Sequence, residues 1–217
     1  MTKLIEKQVQ IEGLTASAPQ ALPFAPSLSI RAFALQRDPG NLLVYSVDGL
    51  APDPAIAAAG EISRQYLNHR HEAMLSTDPI DAPLFVHERE RSSVAETLPV
   101  RGGFTMRHSL DDDFEVIPTP GHTPGATTYL WDAGDHRLLF TGDSLYVNEG
   151  EWVAAVLESS DRAAYIDSLE LIRGLDFDVL VPWAVSQGQP HLEVADELDR
   201  VRRIDAILDR LRRGEDR

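Results

Sequence analysis

Residues 118–125 read PTPGHTPG, and no helix or strand can run through such a segment. Pro118, Pro120 and Pro124 fix φ and withhold backbone donors, while Gly121 and Gly125 admit geometries that a β-carbon forbids. The segment must therefore be a defined turn between two elements, with His122 held inside it. A side chain preset in this way loses less conformational entropy on binding a ligand.

Strand and turn chemistry surrounds this loop. Residues 27–35 and 42–47 predict paired strands across Asp38-Pro39-Gly40-Asn41. Short strands are expected over 62–67 and 84–87, strand segments over 105–116 about a turn at Asp111 to Asp113, and a hairpin of 127–131 with 137–140. Residues 55–59 predict a short Ala-rich helix. Asp161 is a candidate N-cap for a helix over 162–173 with Gly174 as its C′ residue, and Tyr165, Ile166, Leu169 and Ile172 fall on one face. From Leu192 onward, Val194, Leu198, Val201, Ile204, Leu208 and Leu211 recur at spacings of three and four, which predicts an amphipathic helix. Asp199/Arg203 and Asp209/Arg213 are its expected i,i+4 pairs. This helix is expected to pack on a sheet; a homodimer seam is the alternative. No repeat or linker divides the chain, so one domain over residues 1–217 is expected.

Two further histidines, His69 and His71, stand one residue apart in YLNHRHEAM, and Asp143 follows the loop in FTGDSLY. Neutral imidazole is the commonest protein ligand for zinc and similar ions, and a carboxylate balances charge and can orient a bound water. A His-x-His pair just past a strand end can place two imidazoles on one ion, while the other donors arrive by folding. Taken singly, each histidine reads as an ordinary surface or core residue, and Asp143 as a brace for its turn. His87, His108 and His136 fall outside these motifs and are expected to be structural or exposed.

Composition narrows the chemistry. The 217 residues contain no cysteine, which excludes disulfides, thiolate ligands and a Cys nucleophile, so any metal must use N and O donors. A formal net charge of −15 argues against nucleic-acid binding, which depends on Lys and Arg neutralising phosphates. Seven arginines do lie between Arg200 and Arg217, but they alternate with Asp and Glu and read as a solvated helix face. Lys3, Glu6 and Lys7 interrupt the first residues, so no signal-peptide core is expected, and no run approaches the roughly 18 apolar residues of a membrane span. The expectation is a cytoplasmic protein without a membrane partner.

Together these segments resemble the metallo-β-lactamase superfamily: HxHxDH, then a His in a TPGHTPG-like loop, then an Asp in a TGD turn, then a late PGH. The order holds over most of the chain, with LLVYSVDG (Leu42 to Gly49) where the family's core begins and 168–182 resembling its last helix and strand. The resemblance implies an α/β fold, a four-layer αββα sandwich of two mixed β-sheets with helices on the outer faces. It also implies a metal site of His69, His71, His122 and Asp143.

The departures from the pattern are clustered. Where the first motif continues with Asp and His, this chain has Ala73 and Met74; where the late motif reads PGH, it has Pro182, Trp183 and Ala184. In the family these lost positions supply terminal ligands of a second metal. Alanine cannot ligate, and a thioether suits Cu(I) better than zinc. The expectation is one divalent metal, zinc, with iron or manganese as alternatives. A metal-free form and a second metal rebuilt from Glu72 or His191 remain as other readings.

What such a site implies is hydrolysis of an ester, thioester or amide by a single metal-activated water, with Asp143 as the catalytic carboxylate and a small molecule as substrate. The alternative is a non-catalytic member of the fold that binds a ligand or partner in the old cleft. Oxidoreductase use with two irons is disfavoured, because relatives of that kind carry a carboxylate where this chain has His71. Met74, Trp183 and Ala184, with Tyr146 and Trp152 after the Asp143 turn, are candidate walls of an apolar pocket; packed aromatics are the plainer reading of the last two.

Overall fold

The protein is described by a computed structural model covering residues 9–216. Lys3, Glu6 and Lys7, on which the expectation about the first residues rests, lie outside the described residues, as does Arg217.

Two six-stranded mixed sheets face each other. The first runs, in spatial order, β1 (Leu14–Ala16), β4 (Phe33–Leu35), β5 (Asn41–Val44), β6 (Ile62–Tyr66), β7 (Leu84–His87) and β8 (Val100–Phe104). The second runs β17 (Glu193–Val194), β15 (Val179–Pro182), β12 (Arg137–Gly142), β11 (Thr127–Asp132), β10 (Phe114–Pro118) and β9 (His108–Leu110). β5 to β8 pair in parallel, as do β12 and β15, while β9 to β12 form an antiparallel meander.

Strands β5, β12 and β15 are largely apolar because they are buried on both faces. Successive side chains alternate sides, so Leu138 and Phe140 of β12 join the core between the sheets while Leu139 points outward. Val179, Leu180 and Val181 of β15 divide in the same way. Between the sheets, Tyr66 meets Tyr129 at a ring separation of 5.4 Å and Phe33 meets Phe140 at 6.1 Å. Outside the second sheet, Ile117, Leu130, Leu139 and Leu180 are covered by α3 (Arg162–Arg173) and α4 (Glu197–Arg212) through Tyr165, Leu169, Ile204 and Leu208. Outside the first, Leu84 and Val86 pack with Val94 of α2 (Arg91–Val94) and with Ala73. A short α1 (Pro54–Ala58) buries Ile56. Helices therefore flank a double sheet, which is the expected αββα order.

Several local expectations are corrected. The run 27–35 is not one strand: β3 (Ala25–Ile30) breaks before Phe33 and joins a third, five-stranded sheet with β2 (Gln20–Leu22), β16 (Ala184–Ser186), β13 (Tyr146–Asn148) and β14 (Glu151–Val153). Only β4 pairs with β5 across the Asp38–Asn41 turn. Gly174 ends α3 in a right-handed conformation, φ −86°, so the helix stops without a left-handed cap. In α4, Asp199 pairs with Arg203 at 2.7 Å as expected, whereas Arg213 turns to Glu215 and Asp209 to Arg212. The helix expected from Leu192 starts only at Glu197, because Val194 belongs to β17 and Asp196 caps the helix, and Leu198 in its first turn is exposed. Among the described residues no helix is long and apolar enough to cross a membrane.

Candidate metal centre

Three chain segments converge at one end of the sandwich. β6 ends at Tyr66, and three residues later His69 opens a 3-10 helix, Arg70–Leu75, that carries His71. The tight turn brings the two rings to within 5.0 Å of each other, edge to face. The Pro/Gly loop between β10 and β11 delivers His122, and its Gly121, at φ +147°, leaves no room for a β-carbon, which would lie 2.4 Å from the Tyr165 Cα. β12 ends at Gly142, φ +54°, where a β-carbon would lie 2.2 Å from the Asn68 side chain. That close approach sets Asp143 against the segment leading into His69.

One donor atom from each of His69, His71, His122 and Asp143 lies within 4.8 Å of the others. His71 Nδ1 stands 3.1 Å from His122 Nε2; Asp143 Oδ2 stands 3.3 Å from His69 Nε2 and 3.6 Å from His122 Nε2. Ligands at zinc distances of about 2.0–2.1 Å in a tetrahedron are about 3.3 Å apart. The observed edges bracket that spacing. Both ring nitrogens of His69 are buried without a hydrogen bond aligned to either, although they approach Glu72 at 3.2 Å and Asp143 at 3.3 Å. Orphaned buried nitrogens of this kind call for a further partner, and the donor set fits a divalent cation bound through N and O.

A second layer fixes these rings. His122 Nδ1 donates to the Ala155 carbonyl at 2.7 Å, which leaves Nε2 as the free donor atom. Glu72, fully buried, faces His69 Nδ1 and accepts from the backbone N–H groups of Ser46, Asn68 and His69 at 3.0, 2.8 and 3.1 Å. Glu90, also buried, accepts from Arg70 N at 3.1 Å and from Gly125 N at 2.7 Å, tying the two histidine-bearing loops together. The Tyr165 hydroxyl donates to the Asp143 carbonyl at 2.9 Å. Tyr45, itself at φ +73°, accepts from Gly142 N at 2.8 Å and donates to the Val181 carbonyl at 2.6 Å.

Electrostatics follow from this arrangement. Burial disfavours a charge on His69, but Asp143 and Glu72 together outweigh it and raise its pKa to about 10. Burial, reinforced by repulsion from His69, lowers His71 and His122 to about 4. Burial opposes ionisation of Asp143 as well, yet the surrounding imidazoles hold its pKa at about 2. The two carboxylates thus draw positive charge into the cluster while two of its imidazoles stay neutral and able to ligate.

Among the other candidates, Glu72 supports His69 from behind and does not open toward the cavity. His191 lies elsewhere, its Nε2 3.4 Å from the Ser29 hydroxyl, in a cavity of about 690 Å³ around Arg31 and Phe33 that none of the four donors reaches. His87 is buried and accepts from Arg89 N, His136 pairs with Asp178 at 2.6 Å, and His108 is exposed. The supporting roles of Glu90, Tyr45 and Tyr165 were not foreseen. Only Glu72 had a sequence signal, its i,i+3 spacing from His69.

A cavity of about 400 Å³ opens onto His71, His122 and Asp143. Met74, Tyr146 and Ala184 line it. Trp183 does not: it is fully buried behind His69, ring centres 5.6 Å apart, with its Nε1 donating to the Ser46 carbonyl. Trp152 is also absent from the wall, being packed on Phe177 beneath the helices.

Residues 67–184, just over half of the chain, match the sequence family described as the Metallo-beta-lactamase superfamily. No curated protein matches the sequence. Among solved structures, a metallo-beta-lactamase superfamily protein from the archaeon Sulfolobus tokodaii superposes with a TM-score of 0.61 at 16% identity, covering 93% of this chain and 98% of that one. The metallo-beta-lactamase FIM-1 from Pseudomonas aeruginosa, in a mono-zinc form, gives 0.67 at 11% identity over 94% of each chain. A metallo-beta-lactamase from Hirschia baltica gives 0.67 at 12% identity, covering 93% and 97%. With the double sheet and the order of the His, His and Asp motifs, the match shows that this chain belongs to the metallo-beta-lactamase superfamily.

Proposed function

We propose that the protein is a metal-dependent hydrolase of an ester, thioester or amide, working with one divalent metal held by His69, His71 and His122, with Asp143 beside the open fourth position. The observation that carries this reading is the convergence of those four donors to within 4.8 Å of one another, with three of their separations at 3.1, 3.3 and 3.6 Å. Zinc suits the set best, since three imidazoles and a carboxylate are borderline ligands and impose no geometry zinc resists. FIM-1, at 11% identity, is a relative of this fold with a single zinc.

A bound metal would acidify its water and polarise the substrate carbonyl. The protein supplies the rest. His122 is locked to Ala155 and His69 is backed by Glu72, so neither ring must reorganise during the reaction. Asp143, lining the cavity, orients the attacking water by accepting a hydrogen bond from it. The water oxygen bonds to the carbonyl carbon, the bond to the leaving oxygen, sulfur or nitrogen breaks, and a proton of the water passes to that atom. The products are a carboxylic acid and an alcohol, thiol or amine.

Metal analysis of protein purified without chelator tests this. One equivalent of zinc, iron or manganese, lost in a His69→Ala/His122→Ala variant, together with hydrolysis that disappears on metal removal and returns on reloading, is the expected result. Hydrolysis unaffected by metal removal would refute the mechanism. A second reading, a binding protein without catalysis, draws on Ala73, Met74 and Ala184 standing where the family has metal ligands; well-folded protein that takes up no metal would favour it.

A further inference from the structure

The cavity beside the four donors has walls of one kind. Leu22, Leu28, Tyr146, Ala154, Val156 and Ala184 line it, and among the described residues no lysine or arginine does. Besides Asp143, the acid on its lining is Asp216, which pairs with Arg162. Of the seven exposed large hydrophobic residues among the described residues, three gather here, while Met106, Leu171, Val194 and Leu198 lie apart. Phe24, Met74 and Leu157, 69%, 68% and 42% exposed, all belong to this cavity and ring its mouth. Exposed apolar groups gathered at one opening mark a binding surface, whereas scattered ones do not.

Met74 and Ala184 form part of the apolar wall, whereas Ala73 lies apart from it. Ala73 is buried against the outer face of the first sheet, Met74 reaches out to the mouth, and Ala184 contributes a methyl group to the lining. None offers a charge or a hydrogen bond to a substrate. A phosphate or carboxylate placed along this wall, away from the donors, would give up hydration and meet no lysine or arginine in return. An alkyl chain would gain from every methylene it buries.

Resting on the hydrolytic reading above, we propose that the substrates are uncharged esters or thioesters carrying an unbranched apolar chain, which lies along Leu28, Tyr146 and Val156 and leaves between Phe24, Met74 and Leu157. The carbonyl then sits against the donors, and the chain, rather than an anionic group, provides recognition.

The test uses the metal-loaded, full-length protein with p-nitrophenyl esters from acetate to octanoate and alkyl acetates of matching length. kcat/KM should rise by up to about fourfold per added methylene in at least one series, and an ester whose chain ends in a carboxylate should fall back to the level of the acetate. Phe24→Ser and Leu157→Ser should each flatten the dependence on length. Calorimetric titration with alkyl methyl ketones, neutral and not hydrolysable, gives a readout independent of turnover: affinity should climb with chain length and drop in both variants. Ketone binding of this pattern without any hydrolysis would leave the ligand class standing and remove the hydrolase reading. Metal-dependent hydrolysis that is indifferent to chain length, or that prefers the carboxylate-ended ester, would overturn the ligand class and leave the hydrolase reading standing.

Discussion

Glu72 shows how much of a metal centre lies behind its donors. A single buried carboxylate faces one imidazole and accepts from three backbone N–H groups. Glu72→Ala should lower metal affinity by about 10–100-fold, the usual effect of losing a partner behind a ligand. It should also destabilise the fold by about 3 kcal/mol or more, because buried N–H groups left without an acceptor cost about 1–3 kcal/mol each. Metal titration calorimetry and urea unfolding measure the two separately. An affinity drop without loss of stability would show that the backbone bonds are replaced by water. The same residue marks a limit of sequence reading: His69, His71, His122 and Asp143 were legible from their motifs, but Glu72 sits at a position the motif leaves variable. Its role arises from a 3-10 turn that folds it back under His69.

At the scale of elements, glycines and caps decide where the donors end up. Gly142→Ala should destabilise the protein by about 3 kcal/mol or more and displace Asp143, since it imposes both a left-handed non-glycine residue and a clash with Asn68. Loss of metal binding alongside a lowered urea midpoint is the expected result. Asp161→Ala removes the side chain that accepts from Ala164 N at the start of α3, and should cost about 1 kcal/mol without touching the metal site. The strands of the hairpin and of the second sheet were readable because alternation and turn chemistry agree there. The third sheet was not. Its strands are mostly three residues long, too short for a period to emerge, and β3 departs from the run that contains it only because Arg31 and Ala32 lead the chain from one sheet to another.

Across the whole molecule, a histidine distant from the metal cluster should contribute to acid stability. His191 is packed against Phe33 and Ser29, and burial, with Arg31 nearby, lowers its pKa from 6.5 to about 3. In the folded protein it stays neutral while the unfolded chain takes up a proton below pH 6.5. The stability it contributes is therefore complete above 6.5 and is lost as the pH falls toward 3, by up to about 1.4 kcal/mol for each unit. Denaturation midpoints between pH 7.5 and 5 should fall less steeply in His191→Gln than in the native protein; equal slopes would reject the assignment. The layered architecture was legible through the family resemblance that the motifs carry, rather than from periodicity or composition. The cavity was legible only in part, since Trp152 and Trp183 look alike in sequence but pack away from it for different reasons, one under the helices and one behind His69.

The clamp formed by Glu90 has a consequence for the life of the protein. Because this carboxylate holds Arg70 and Gly125 by their backbones, the loops bearing His71 and His122 are fastened by bonds that owe nothing to an ion. Treatment with chelator should therefore leave the circular dichroism spectrum and hydrogen-exchange protection of both loops nearly unchanged. Chains made during a shortage of the ion would stand ready, already shaped, and start work on its arrival without having to fold around it.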